Sequence, residues 1–153
     1  MKRQVSPSME DYLETIHLLK RNSGNVRVRD IARALSISMP SVTGALKNLE
    51  KKGFVNHPRY DSVGLTESGS RIAREVYRRH RVIKTFLSKV LGLNTELAEK
   101  DACRIEHWVS AETADRLTEF LKAEYNIRTE QEQREIPDGD ETDTGSGGPV
   151  HPG

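Results

Sequence analysis

A mainly α-helical chain, opening with a winged helix-turn-helix and continuing into an all-helical second domain, is predicted by three observations. Apolar residues recur at i, i+3 and i+4 through six separate stretches of the 153 residues. One pair of short β-like runs falls directly after the third stretch. Glycine, proline and small polar residues sit between the stretches, where helices start and stop.

Ser6-Pro7 opens the first helix, with serine as N-cap and proline in the first turn. Met9, Tyr12, Leu13, Ile16 and Leu19 form its stripe, and Gly24-Asn25 ends it. A short extended piece at Val26 and Val28 leads to a second helix over roughly 29–36, with Ile31, Ala32 and Leu35 inward. Ser36-Ile37-Ser38 is a tight connection that caps a third helix over about 39–51, buried through Val42, Ala45, Leu46 and Leu49. Gly53 stops it. Phe54–His57 and Ser62–Leu65 then read as two runs joined around Pro58 and Asp61, the pattern of a winged helix-turn-helix. Thr66 caps a long fourth helix over about 67–91, with Ile72, Val76, Ile83, Phe86 and Val90 on one side and Gly92 at its end. A fifth helix is expected over about 95–109 and a sixth over about 111–125. From Arg128 onward no apolar period remains, and a disordered acidic tail is expected. The domains read as 1–70, 71–127 and a tail over 128–153.

Charge is unevenly spread along a chain of net charge +1. Residues 1–92 carry 18 Lys and Arg against 8 Asp and Glu, whereas 93–127 carry 4 against 8 and 128–153 carry 2 against 7. A basic front suits a polyanion and an acidic middle suits cations. No apolar run reaches the ~18 residues of a membrane helix, and the first residues lack the apolar core of a signal peptide. One cysteine excludes an intrachain disulfide. A cytoplasmic protein with a reduced thiol and no membrane partner is expected.

On the third helix the buried set leaves Met39, Pro40, Ser41, Thr43, Gly44, Lys47, Asn48 and Lys51 outward. Small polar residues at its N-terminal end can approach base edges of double-stranded DNA, while the lysines reach phosphates. Arg27, Arg29 and Arg33 near the second helix and Arg59 in the wing extend the positive surface. With no arginine placed for bidentate guanine contact, readout is expected to lean on thymine methyls and DNA shape. The expected DNA-binding set is Arg27, Arg29, Pro40, Ser41, Thr43, Lys47 and Arg59.

Cys103, Glu106 and His107 lie at i, i+3 and i+4, so one helical face would present a thiol, a carboxylate and an imidazole. These are ligands for a divalent transition metal. The same helix would gather Leu97, Ala98, Ala102, Ile105, Trp108 and Val109 on its other face. Asp11 and Glu14, i and i+3 on the first helix, lie away from its apolar stripe. His80 borders the apolar face of the fourth. The bland alternatives are a solvated polar face, helix-dipole compensation for Asp11, and a packed core histidine.

The runs SPSMEDYLETIHLL, LTESG, YRRHRVIKTFL and ACRIEHWVS, in this order across residues 6–125, resemble the diphtheria toxin repressor family, most closely its two-domain manganese-transport-regulator branch. The resemblance implies a homodimeric, metal-activated repressor of operator DNA. Its winged helix would join a helical dimerisation domain, with Asp11, Glu14, His80, Glu106 and His107 as metal ligands. Cys103 departs from the manganese branch, which usually has glutamate there. Asp11 departs from the iron branch, which has methionine there. Lys84 stands in place of a carboxylate, and Glu99 where the iron branch often has a histidine. With Cys103 counted, the expected ligand set is Asp11, Glu14, His80, Cys103, Glu106 and His107. Hard carboxylates favour Mn²⁺, with Fe²⁺ as the alternative that the thiol supports.

Two rival classes stand beside this reading. A winged-helix regulator could answer an organic ligand or a partner, with the donors merely solvated. An enzyme would need Cys103 and His107 as nucleophile and base, but no oxyanion donors or orienting third group accompany them. No enzyme is expected.

Overall fold

The computed structural model describes residues 5–57 and 62–126. Its elements are α1 (Pro7–Ser23), α2 (Val28–Leu35), α3 (Met39–Lys51), β1 (Val55–Asn56), β2 (Gly64–Leu65), α4 (Glu67–Thr85), α5 (Thr95–Ile105) and α6 (Ala111–Tyr125). Helix starts follow the capping residues in the sequence. Ser6, Ser38, Thr66, Asn94 and Ser110 each accept a backbone N–H of the first turn through the side chain. Gly24 ends α1 in the left-handed conformation, φ +72°.

The first three helices and the strand pair close one apolar core. Leu13 and Ile16 of α1, Ile31 of α2, Val42, Leu46 and Leu49 of α3, and Val26 and Val55 are all essentially without solvent contact. The wing pairs antiparallel, Val55 with Leu65 and Asn56 with Gly64. It is shorter than the expected runs because Val63 N–H bonds to the Val26 carbonyl at 2.7 Å instead of to β1. Its tip at 58–61, including Arg59, and the acidic stretch at 128–153 lie outside the described residues.

α4 starts against the wing and runs through to the second half, packing on α1, α5 and α6. The approach is tight at its first turn: a Cβ on Gly69 would stand 2.0 Å from the Phe54 carbonyl oxygen. The expected single helix over 67–91 instead finishes as a π-helical turn, Phe86–Val90, with Leu91 N–H bonded to the Phe86 carbonyl.

The fifth helix is four residues shorter than its apolar period suggested. α5 stops at Ile105, and residues 106–108 form a turn closed by Trp108 N–H on the Ile105 carbonyl. Two contacts end it there. The Arg79 guanidinium donates to the Val109 carbonyl at 3.1 Å, and Ser110 caps α6. The expected apolar face is divided. Ala98 and Ala102 are fully buried, while Leu97, Ile105 and Trp108 are 41%, 40% and 74% exposed.

Candidate metal centre and DNA-reading face

The turn after α5 drives two charged side chains into the protein. Glu106 is 1% exposed and His107 5%; Glu106 meets Glu14 of α1 and His80 of α4, and His107 meets Glu10 and Asp11 of α1. His107 Nε2 lies 2.8 Å from Asp11 Oδ1 and 3.5 Å from Glu106 Oε1. Glu106 Oε2 lies 2.6 Å from His80 Nδ1 on α4. Three overlapping donor groups result: Asp11, Glu106 and His107; Glu14, His80 and Glu106; and His80, Glu99 and Cys103. Within each, the donor atoms lie within 4.8 Å of one another. All of these residues except His107 line a cleft of about 590 Å³ between α1, α4 and α5.

All six sequence-predicted metal residues therefore converge, in a graded order. Asp11, Glu14, Glu106 and His107 belong to inner groups of oxygen and nitrogen donors. His80 bridges inward and outward. Cys103 falls in the outer group, its Sγ 3.8 Å from His80 Nδ1 and 3.9 Å from Glu99 Oε1.

The electrostatics are those of a centre short of positive charge. Burial, reinforced by the neighbouring Glu106 charge, pushes the Glu14 carboxyl up to about 8. Burial works against protonation of His80. The bonds to Cys103 and Glu106 and the charges of Glu106 and Glu99 outweigh it, and the imidazole rises to about 11. Hydrogen bonds to Asp11 and Glu10 raise His107 to about 10 against the effect of burial. Two protonated imidazoles thus hold the carboxylates together. Carboxylates and imidazoles in this packing suit a hard divalent cation, which would supply the positive charge those protons carry.

Sequence reasoning missed Glu10 and Arg79. Glu10 is 5% exposed and accepts from His107 Nδ1 at 2.8 Å, leaving Nε2 facing Asp11. Arg79, 8% exposed, lies 3.5 Å from Glu10 and bonds the Val109 carbonyl, so one guanidinium joins α1 to the turn carrying the donors. A carboxylate behind a ligating histidine fixes the ring's tautomer and raises its basicity. The signal was available: Glu10 and Glu14 are one turn apart and share a face.

On the reading face, Met39, Pro40, Ser41, Gly44, Lys47, Asn48 and Lys51 are exposed, as the periodicity predicts, and Thr43 is half-buried. Two hydroxyls are engaged locally: Thr43 Oγ1 donates to the Met39 carbonyl at 3.0 Å, and Ser41 Oγ is 2.8 Å from Ser38 Oγ. Arg27 and Arg29 are exposed, and Asp30 partners both, accepting the Arg27 backbone N–H and standing 3.8 Å from the Arg29 side chain.

This fold and site define a class: a winged-helix protein with a donor centre between its reading half and its helical half. The chain matches the iron-dependent repressor family in both parts, the N-terminal DNA-binding domain over residues 4–63 and the metal-binding and dimerisation domain over 66–138. It belongs to that family of transcriptional repressors, which are not enzymes. It is 38% identical over 119 residues to an uncharacterised helix-turn-helix transcriptional regulator of Methanocaldococcus jannaschii, covering 77% of this chain and 95% of the relative. It is 36% identical over 117 residues to the transcriptional regulator MntR of Lysinibacillus sphaericus, covering 76% and 84%. Among solved structures it resembles the manganese regulator SloR, with a TM-score of 0.68, 31% identity and 77% of this chain covered. The chain spans about half of that protein, 55% of its length. No helix among the described residues is long and apolar enough to cross a membrane.

Proposed function

We propose that this chain is a manganese-responsive repressor that binds operator DNA as a homodimer in the cytoplasm and controls genes of metal uptake. Residues 1–70 serve as the reading domain and 71–127 as the metal-binding and dimerising domain. The observation that carries the reading is the meeting of Asp11 with Glu106 and His107, because it ties α1 of the DNA-reading half to the turn between α5 and α6. A bound divalent ion supplies the positive charge this meeting needs. Asp11, Glu14, His80, Glu106 and His107 are the residues that hold it, with Glu10 orienting His107 from behind. Oxygen and nitrogen donors favour Mn²⁺, in line with the likeness to the manganese regulator SloR.

α1 packs on α2 and α4, so fixing α1 against α5 sets the angle at which α3 is presented. A dimer reading two half-sites needs that angle fixed, since half-sites lie about one helical turn apart or a multiple of it. Leu97, Ile105 and Trp108, outward on α5 and its turn, offer an apolar face for the second copy. Metal controls binding to the extent that it favours the DNA-competent arrangement.

The test is anaerobic titration of chelator-stripped protein with Mn²⁺, following free ion by electron paramagnetic resonance. A DNA-binding assay then uses duplexes selected from a random-sequence pool with Mn²⁺ present. Saturable uptake lost in Glu106→Ala, with DNA binding abolished by chelator, is the expected result. DNA binding unchanged by chelator would favour a regulator that answers an organic ligand or partner. The second reading, an Fe²⁺-responsive repressor, draws on the Cys103 sulfur beside His80. Fe²⁺ uptake with no Mn²⁺ uptake would select it.

A further inference from the structure

Two arginines stand side by side on α4 and are used differently. Arg78 grips Glu75 through two bonds, 3.0 and 2.9 Å, and reaches Asp115 of α6 at 2.9 Å. Arg79 is buried, and its guanidinium is divided between distant elements. One terminal nitrogen donates to the Val109 carbonyl, and the other stands 3.5 Å from Glu10 Oε2 on α1. Its Nε is sealed from water without a hydrogen-bond partner, 3.9 Å from the Glu75 oxygen that Arg78 already holds. A buried donor left unpaired is costly. A guanidinium placed only to staple the core would satisfy itself on Glu75, one turn back on its own helix. The placement observed is the one that reaches Glu10 and Val109 together, and it leaves Nε unpaired.

Both ends bear on the donors. Glu10 accepts from His107 Nδ1, and Val109 lies two residues past His107, at the close of the turn that carries Glu106. Building on the metal-sensing reading, we infer that Arg79 is a positioning residue: through Glu10 and the Val109 carbonyl it gathers the donors of α1 and of the turn after α5, and so sets metal affinity without touching the ion. An ion binds in proportion to the fraction of chains whose donors are assembled, so its apparent dissociation constant rises as that fraction falls. Holding Glu10 behind His107 keeps Nε2 turned toward Asp11. Holding the Val109 carbonyl fixes the backbone from which Glu106 and His107 project. A planar guanidinium fork serves two acceptors at set angles, which an ammonium on a flexible stem does not.

The experiment compares full-length wild type with Arg79→Met, Arg79→Lys, Glu10→Gln and the double variant Arg79→Met with Glu10→Gln. Each is stripped with chelator and titrated anaerobically with Mn²⁺, or with Fe²⁺ if wild type takes up only that ion, and circular dichroism checks the fold. Arg79→Met should weaken metal affinity about 10–100-fold, the range for a partner behind a ligand. Arg79→Lys keeps the charge without the fork and should fall between Arg79→Met and wild type. The double variant should lose far less than the product of the two single losses, because Arg79 acts in part through Glu10. Amide hydrogen exchange of the metal-free chains separates the two ends: residues 106–110 should exchange faster in both Arg79 variants than in Glu10→Gln. A folded Arg79→Met with wild-type affinity, or single losses that multiply in the double variant, would overturn the inference and leave Arg79 a core staple. Equal exchange over 106–110 in all the chains would overturn it as well. If Arg79→Met fails to fold, Arg79→Lys decides: wild-type affinity in that variant overturns the inference, and a fall with the fold retained supports it. No uptake of either ion by wild type would overturn the metal-sensing reading, and this inference with it.

Discussion

The reading half and the donor centre share α1 and α4 yet bury opposite kinds of side chain. The reading half seals Leu13, Ile16, Ile31, Leu46 and Leu49 from water. Around the donor centre the buried side chains include Glu10, Glu14, Arg79, His80, Glu106 and His107. Apolar burial is non-directional and indifferent to ions. Buried charges depend on partners, protons and cations for their stability. The difference teaches where a signal can enter: a cation acts on buried charges, so the donor centre is the part of the molecule built to respond to one, and the apolar reading half is not.

The comparison breaks most visibly if the reading half answers to metal. Leu46→Ala removes a fully buried side chain of α3 and should cost about 2–5 kcal/mol. Wild type and variant should gain equally in Tm when Mn²⁺ is added, because the lost packing lies away from the ligands. Calorimetry with and without the ion checks this. A metal-dependent cost would show that the core itself is remodelled.

Glu10→Gln probes the opposite side. The substitution keeps the shape but loses the charge that accepts His107 Nδ1–H and faces Arg79. Mn²⁺ affinity should fall about 10–100-fold, with the fold retained by circular dichroism. Free-ion titration measures it, and an unchanged affinity would reduce Glu10 to a structural partner of Arg79.

Acidity separates the two regions without a substitution. Glu14 is raised from 4.5 to about 8, so between those values the folded chain holds a proton that the unfolded chain has released. Stability of the metal-free protein therefore falls as pH climbs through that window. His80 and His107, raised from 6.5 to about 11 and about 10, add loss of the same sign. Their contribution is whole below 6.5 and disappears as pH rises through the folded values. The metal-free Tm should drop by several degrees from pH 5 to pH 8. Glu14→Gln should flatten the part below 6.5, and saturating Mn²⁺ should oppose the decline. A metal-free Tm that rises over this range would contradict the charge balance described above.

Most of the fold was legible because its elements carry local signals: a capping side chain at the start of every helix but α2, glycine after α1, after α3 and after the π-helical turn that follows α4, and a 3.6-residue apolar period. The donor set was legible for the same reason, since Cys103, Glu106 and His107 keep helical spacing across a helix that ends at Ile105. That end was not legible. It depends on Arg79, 30 residues away in sequence, reaching the Val109 carbonyl. Glu10 shares a face with Glu14, but that spacing alone does not tell a buried carboxylate from one in solvent. Its burial arises only once α4 and the turn after α5 pack over it. The short wing has the same origin: Val63 pairs with Val26, a contact no alternation within 54–65 announces.

The smallest expected effect lies at the seam between the two regions. Thr66 accepts the Gly69 N–H at 3.1 Å and donates to the Gly53 carbonyl at 2.6 Å, so one hydroxyl caps α4 and anchors the residue that opens the wing. Thr66→Ala removes both bonds and should cost about 1–2 kcal/mol. That cost belongs with the reading half: it should be the same with and without Mn²⁺, and the ion's affinity should not change. DNA binding is the sharper readout. α4 carries His80 at one end and meets the wing at the other, so loosening its first turn should weaken metal-dependent DNA binding more than stability alone predicts. If DNA affinity falls only in step with the folded fraction, α1 alone carries the orientation from the donor centre to α3.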